Sequence, residues 1–274
     1  MSHHLLQAYL NDQKGRLADT TLDSYRMVLS HFPSLPLTLS EARSWKTRRL
    51  AEVSASSVAT ELRALKSFDR WYAEEMDEAP QLAKLPFPKV TVPVEAPVVT
   101  EDEYQAMLAA CDKTFMGMRD AAIIAVLWST GMRRSEVSRL QVDDVDLAEG
   151  TVVVRKTKNG TPRTAYLTPE ARTRLRRYML KYGNDIGPLW LGYRGYAVTP
   201  ELIAVAVERR AKEAGVQVTC HQFRRALAMR WLQMGGSETL LREVAGWNSP
   251  TMVSRYVRAV RSELALGEAQ RLFG

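Results

Sequence analysis

The sequence predicts a mainly α-helical protein of two domains, with a small antiparallel β-sheet in the C-terminal domain. Apolar residues recur at helical spacing in the first 80 residues, prolines cluster in the next 20, and residues 151–167 carry a β-hairpin pattern. At 274 residues the chain has room for two domains and a real core. We therefore expect a helical domain at 1–80, a linker at 81–99 and a larger domain at 100–274.

Three amphipathic patterns predict the helices of the N-terminal domain. Their apolar residues are Leu5, Leu6, Tyr9 and Leu10, then Leu22, Tyr25, Val28, Leu29 and Phe32, and finally Val58, Leu62, Leu65, Phe68 and Trp71. Arg63, Lys66 and Arg70 share another face of the last helix. This face is a candidate for contact with a polyanion, and a merely solvated face is the alternative.

Prolines predict the linker. Pro80, Pro86, Pro88, Pro93 and Pro97 fall within twenty residues of one another. Proline lacks the backbone donor and restricts the residue before it, so the segment should be extended and semi-stiff.

The second domain opens with a capping-box pattern at Thr100 and Glu103, which predicts a helix to about Ala110. Residues 120–129 are apolar nearly all round and predict a buried helix. A turn at Gly131 then leads to a short helix that holds Arg133 and Glu136.

The rest of the domain is predicted from turn and capping signals. β-branched runs on either side of Asn159-Gly160 indicate a β-hairpin. Further helices should start at Thr168-Pro169, Thr199-Pro200, Thr219, Ser237 and Ser249-Pro250, and the Ser237 helix should end at Gly246.

Charge and composition narrow the function. Lys and Arg outnumber Asp and Glu by 38 to 31, giving a net charge of +7, which favours a polyanionic partner. Two cysteines are too few for a disulfide framework and predict a reducing cytoplasm. Neither a signal peptide nor an apolar run long enough for a bilayer is evident, so we expect no membrane association.

Candidate site residues combine cations with a histidine. His221 and Arg224, at i and i+3 of a helix, project from one face toward a common ligand. Arg133 lies beside the positive end of a short helix, and Glu136 is placed to hold its guanidinium. Lys158 lies at the hairpin tip, where a protonated amine suits donation to a departing oxygen, and Lys156 is the competing candidate.

Tyr256 completes the set on the last predicted helix, nine residues after Trp247, whose indole N–H is a donor. Cations, a histidine and a tyrosine without a metal-ligand cluster are suited to holding a phosphodiester while a phenolic oxygen attacks it. This chemistry points to the breaking and rejoining of DNA.

Four segments in one order resemble the tyrosine recombinase or phage integrase family. They are TGMRRSEVSRLQVDDVDL, KTKNGTPRTAYL, HQFRRALA and AGWNSPTMVSRY. The resemblance runs from about Thr100 to Tyr256 and implies a catalytic domain preceded by a helical core-type DNA-binding domain, in a compact form without an arm-type domain.

The resemblance implies a role for each candidate. Arg133 and Arg224 would clamp the phosphate, Lys158 would act as general acid and Tyr256 as nucleophile, with Glu136 supporting the site. His221 would help to deprotonate the tyrosine or orient the phosphate. Trp247 stands where the family commonly has histidine, so it can donate a hydrogen bond but cannot transfer a proton.

The family also implies site-specific recombination, here phage-type integration and excision of a viral genome, without metal or nucleotide cofactor. A homotetramer on double-stranded DNA attachment sites is expected in the bacterial cytoplasm, with a directionality factor or host DNA-bending protein as further partners. The tail that carries Leu264, Leu266, Leu272 and Phe273 would dock on a neighbouring protomer or on its own domain.

Other functions stay open at this point. A Xer-like or transposon-borne resolvase shares the chemistry, as does a type IB topoisomerase that needs no partner duplex. A helical DNA-binding regulator would need no catalysis. A metal-dependent nuclease would need a carboxylate cluster that the sequence does not offer.

Overall fold

The computed structural model describes residues 2–90, 97–155, 162–247, 265–267, 269–270 and 272–273. Contacts divide the chain into two compact units, Met1–Val92 and Pro93–Gly274. The described residues are mainly helical and include one three-stranded antiparallel sheet, which confirms the predicted fold class.

In its described residues, the first unit has four helices around an aromatic core. They are α1 (Ser2–Asp12), α2 (Asp19–Ser30), α3 (Leu39–Glu52) and α4 (Ala55–Glu75). The ring of Tyr9 lies 5.4 Å from that of Phe68 and 5.5 Å from that of Trp71, and the Tyr9 hydroxyl donates to Ser67 Oγ at 2.7 Å. The apolar periodicity of α1, α2 and α4 therefore faces the core, as predicted.

The segment after α4 packs on the first unit. Leu82 and Leu85 are buried in the same core, and the Asp69 carboxylate accepts the backbone N–H groups of Gln81 and Leu82. No helix interrupts residues 81–90, as proline chemistry requires. The first part of the predicted linker thus belongs structurally to the N-terminal helices.

The second unit is built around one buried helix. The helices named in its described part are α5 (Glu101–Ala109), α6 (Phe115–Thr130), α7 (Arg134–Ser138), α8 (Pro169–Tyr182), α9 (Pro200–Glu213), α10 (Cys220–Gln233) and α11 (Glu238–Ala245). Residues 122–127 of α6 are fully buried, and α8 and α10 pack against this helix. The helix begins five residues before the predicted start because Thr114 caps it, accepting the Gly117 N–H.

The sheet contains β1 (Val145–Asp146), β2 (Thr151–Val154) and β3 (Arg163–Tyr166) in that order. Cross-strand pairs such as Val152 with Ala165 and Val154 with Arg163 put alternate residues on a buried face. Residues 156–161 at the predicted hairpin tip lie outside the described residues.

Helices α8, α9 and α10 begin where capping signals predict. Thr168 and Thr199 cap α8 and α9, each with proline in the first turn, and Thr219 precedes α10. Helix α11 ends at Gly246, whose φ of 61° is left-handed. Within the described ranges, no helix is both long and apolar enough to cross a bilayer.

Candidate active site

Arg133 and Glu136 form the base of the site, at the junction of α6 and α7. Gly131 ends α6 in a left-handed conformation, and Arg133 then precedes the first turn of α7. Glu136 Oε2 accepts the Arg133 backbone N–H at 2.8 Å, and Glu136 Oε1 accepts Arg133 Nη1 at 2.8 Å. The Arg133 side chain is 28% exposed while that of Glu136 is 2% exposed, so the guanidinium remains open to a ligand and the carboxylate does not.

Arg163 of β3 holds the same carboxylate from the other side. Its Nη1 and Nη2 donate to Oε1 and Oε2 of Glu136 at 3.1 Å and 2.8 Å, in a bidentate fork. This arginine is the residue that sequence reasoning missed. A signal was present, because strand alternation puts Arg163 on the face of Ala165, and an arginine on an apolar face needs a buried acidic partner.

The ion cluster keeps Glu136 charged. Burial by itself raises the pKa of Glu136. Hydrogen bonds and charge from Arg163, followed by hydrogen bonds from the backbone and side chain of Arg133, outweigh burial and lower this pKa to about 2. The carboxylate therefore anchors both guanidinium groups throughout the neutral range.

Three guanidinium groups meet at the C-terminal end of α11. The last carbonyls of a helix have no partner within it and carry partial negative charge, which cations satisfy. Each arginine donates to one of three consecutive carbonyl oxygens. Arg163 donates through Nε to Val244 O at 3.0 Å, Arg224 through Nη2 to Ala245 O, and Arg133 through Nη2 to Gly246 O at 3.4 Å.

Arg224 comes from α10 and is the most enclosed of the three, at 3% exposure. Its Nη1 donates to Gly131 O at 2.9 Å, and its Cζ lies 5.0 Å from the Trp247 ring centroid. Trp247 is buried with Leu241 and Ala245 in a small cluster between α10 and α11. The indole thus packs on one side of the guanidinium in a cation–π contact.

His221 lies in the first turn of α10, one turn before Arg224, and its side chain is exposed. Neighbouring protein atoms displace water from one part of the imidazole and so lower the pKa of His221. The positive charges of Arg225, Arg224 and Arg133 lower this pKa further. The imidazole is therefore in the same electrostatic neighbourhood as both candidate phosphate ligands, and it is neutral near pH 7.

An open groove of about 890 Å³ lies beside His221. Lys212 and Arg225 line it with Thr219 and Gln222, and Glu208 contributes one acidic side chain. Two cationic side chains and one acidic side chain thus line the groove next to the histidine.

Lys158, Lys156 and Tyr256 lie outside the described residues. The described chain reaches Arg155 on one side of the hairpin tip and resumes at Pro162 on the other, and it runs past α11 to Trp247. The general-acid and nucleophile assignments accordingly stay predictions.

The cations of α4 are engaged to different extents. Arg63 and Arg70 are exposed, while Lys66 is half-buried. Lys66 Nζ donates to Ala83 O at 3.1 Å and lies 5.1 Å from the Phe87 ring centroid; Arg63 lies 5.7 Å from the same ring. Two of the three cations therefore pack against the segment that follows α4.

Among the described residues, histidine, cysteine and carboxylate side chains form no cluster able to hold a metal ion. The two cysteines, Cys111 and Cys220, are both free thiols, and burial raises the pKa of each to about 11. Neither thiol is therefore a candidate nucleophile.

Comparison with known proteins identifies the second unit. The family model described as the phage integrase family matches residues 97–263, a span that includes the six candidate catalytic positions from Arg133 to Tyr256. A tyrosine recombinase XerA of Pyrococcus furiosus is 26% identical over 214 residues, which cover 77% of this chain and 72% of the relative. A tyrosine recombinase XerD of Lacticaseibacillus casei is 25% identical over 275 residues, covering 93% of each chain.

Solved structures share the fold. A lambda integrase dimer bound to a core site superposes with a TM-score of 0.76 at 18% identity, covering 93% of this chain and 94% of that one. A XerA recombinase has a TM-score of 0.57 at 24% identity over 97% of this chain. Because the family model spans more than half of the sequence, the chain belongs to the phage integrase family of tyrosine recombinases, enzymes that break and rejoin DNA.

Proposed function

We propose that this recombinase carries out phage-type integration and excision between specific DNA sites through a 3′-phosphotyrosyl intermediate. The observation that carries the proposal is the convergence of Arg133 and Arg224 on the adjacent carbonyls of Gly246 and Ala245 at the end of α11, shortly before Tyr256 in the sequence. Phosphate oxygens are charged acceptors and compete well with carbonyls for guanidinium donors. Two guanidinium groups at one helix end can therefore receive one scissile phosphate.

The proposed reaction exchanges one phosphodiester for another. The Tyr256 hydroxyl oxygen attacks phosphorus in line, the bond from phosphorus to the 5′ oxygen breaks, and Lys158 protonates that leaving oxygen. Arg133 and Arg224 stabilise the charge that develops on the non-bridging oxygens. Neutral His221 accepts the phenolic proton or orients the phosphate, and a 5′ hydroxyl from the partner duplex reverses the step.

The partners follow from the same proposal. Arg63, Lys66 and Arg70 of α4 contact the DNA backbone, and four protomers assemble on two sites in the bacterial cytoplasm. Leu266, Leu272 and Phe273 are exposed in the described part of the tail, which supports docking on a neighbouring protomer. A directionality factor or a host DNA-bending protein completes the assembly.

Tyr256→Phe tests the nucleophile. The variant should bind site DNA normally but form no denaturant-resistant protein–DNA adduct, because only the phenolic oxygen is lost. Wild-type protein should form the adduct equally well in EDTA. An adduct in the variant contradicts the assignment, and dependence on a divalent cation contradicts the metal-free reaction.

A modified substrate separates the two lysines. DNA with sulfur at the 5′-bridging position has a leaving group that needs no proton. Lys158→Ala should therefore be strongly impaired on ordinary DNA and restored on the sulfur substrate. Restoration of Lys156→Ala instead would move the general acid to Lys156.

A Xer-like or transposon-borne resolvase is the second candidate, favoured by the names of the curated relatives. Plasmids that carry either two identical sites or two different attachment sites distinguish them. Phage-type integration joins two different sites in separate molecules, whereas a resolvase acts on identical sites in one molecule.

A further inference from the structure

Arg163 links three elements, β3, α7 and α11. Its fork receives both carboxylate oxygens of Glu136 in α7, and its Nε donates to Val244 O in α11, while its backbone belongs to β3. A planar guanidinium can donate to the carboxylate through its two Nη atoms and to the carbonyl through Nε at the same time. A lysine ammonium has a single nitrogen and cannot form this arrangement. One side chain thus sets the position of the α7 carboxylate relative to the end of α11.

The Arg163 cluster has an inner and an outer layer. Arg163 is 8% exposed and Glu136 2% exposed, whereas Arg133, which shares Oε1 of the same carboxylate, is 28% exposed. Arg133 therefore faces the substrate side, and Arg163 lies behind it. Any shift of the Glu136 carboxylate moves the guanidinium of Arg133 with it.

Gly246 shows how closely Arg163 approaches the backbone. A Cβ atom built at Gly246 would lie 2.9 Å from Arg163 Nη1. The last turn of α11 and the arginine are therefore in direct contact where the chain leaves toward Trp247 and Tyr256.

We propose that Arg163 is a positioning residue: through Glu136 it fixes the guanidinium of Arg133, and through Val244 it fixes the helix end that leads to the nucleophile. The proposal rests on the proposed function of Arg133 as a phosphate ligand. The role assigned to Arg163 is to position Arg133 and the end of α11, not to bind the phosphate. Arg163 also lies five residues after Lys158, the proposed general acid, in the sequence.

A double-mutant cycle on full-length protein tests this role. Arg163→Met should slow single-turnover cleavage of a nicked site by about 10- to 100-fold, because small displacements of catalytic groups cost this much. Affinity for intact site DNA should change less than about threefold, since bulk phosphate contacts remain. Arg172→Met is the matched control, because Arg172 likewise donates to backbone carbonyls, those of Leu147 and Ala148.

The cycle partner is Arg133→Lys, which retains a charge and therefore a measurable rate. If Arg163 acts partly through Arg133, adding Arg163→Met to Arg133→Lys should slow cleavage by clearly less than Arg163→Met slows the wild type, since coupled residues are non-additive and only the loss through α11 remains. Full multiplication of the two losses would overturn the proposal. Arg163→Lys should remain impaired, and a wild-type rate in that variant would show that charge alone suffices.

Amide hydrogen exchange of residues 238–247 provides a readout that is independent of cleavage. Arg163→Met should speed amide exchange in these residues, because it removes the hydrogen bond to Val244 O, and Arg172→Met should not. An unchanged exchange rate in Arg163→Met would contradict the proposed positioning of α11. If Arg163→Met fails to fold, Arg163→Lys takes its place in the cycle and in the exchange measurement. Failure of wild-type protein to form any adduct would contradict the proposed function, and exchange would still decide the positioning of α11.

Discussion

At the scale of single residues, Glu136 shows how the site manages charge. A carboxylate that is almost fully buried is stable here because two guanidinium groups and a backbone N–H surround it. Removing one charged side chain from such a cluster leaves the remaining charges buried without a partner. The resulting loss of folding stability is larger than the net stability that the ion pair contributes. The site therefore depends on Arg163, which holds the carboxylate, as well as on the arginines proposed to bind the phosphate.

Glu136→Gln tests the charge state of that carboxylate. The folded-state pKa is lowered to about 2, so the charged group stabilises the fold at pH values above its unfolded pKa, and this stabilisation is lost as pH falls toward 2. The difference in free energy of unfolding between wild type and Glu136→Gln should be on the order of 3 kcal/mol above pH 5 and should shrink at lower pH. Chemical denaturation at several pH values measures it, and a difference that does not vary with pH would contradict the ion cluster.

At the scale of elements, Gly131 connects the buried helix to the site. Its φ of 56° ends α6, its carbonyl accepts Arg224, and a Cβ there would lie 2.7 Å from Leu227 Cδ2. The turn thus determines where α7 starts and where the Arg224 guanidinium is held.

Gly131→Ala should destabilise the protein more than Gly235→Ala, which is the matched control. Gly235 has a φ of 79° with no atom within 4 Å of an added Cβ, so alanine there costs only the left-handed strain of about 1 kcal/mol. At Gly131 the clash with α10 adds to that strain and should also slow cleavage by displacing Arg224. Thermal melting and single-turnover cleavage check both effects; equal destabilisation of the two variants would show that the α10 contact is unimportant.

Local signals explain which elements the sequence predicts well. Capping residues such as Thr100, Thr168 and Thr199 act on their own helix, so helix starts are visible in sequence. Helix α3 was not among the three predicted patterns because few of its residues are apolar, although the structure shows a capping box of Thr38 and Glu41 at its start. Arg163 and Glu136 are 27 residues apart, and only the folded sheet brings them together.

At the scale of the whole molecule, the two units have different proposed roles. The first unit binds DNA through α4, and the second unit cleaves it. The positive charge of the chain should make affinity for DNA strongly dependent on salt. The arginine and lysine side chains of α4 belong to one unit and the arginine cluster around Glu136 to the other. Measurements of affinity and of cleavage can therefore be separated by mutation.

Arg70→Ala should reduce the slope of log affinity against log salt by about 0.9, the value for one lost phosphate contact. Lys66→Ala should lower thermal stability more than Arg70→Ala does, because Lys66 donates to Ala83 O and covers Phe87. DNA-binding titrations at several salt concentrations, with melting curves, check this pair. An unchanged slope in Arg70→Ala would remove that residue from the DNA interface.

The central claim is that one tyrosine, Tyr256, receives the scissile phosphate between Arg133 and Arg224. Its most direct test is to trap wild-type protein on a nicked suicide substrate, digest the adduct and identify the peptide that carries the nucleotide. The account predicts a single modified peptide containing Tyr256. Attachment through another residue, for instance the exposed Tyr193 or Tyr196, would contradict it.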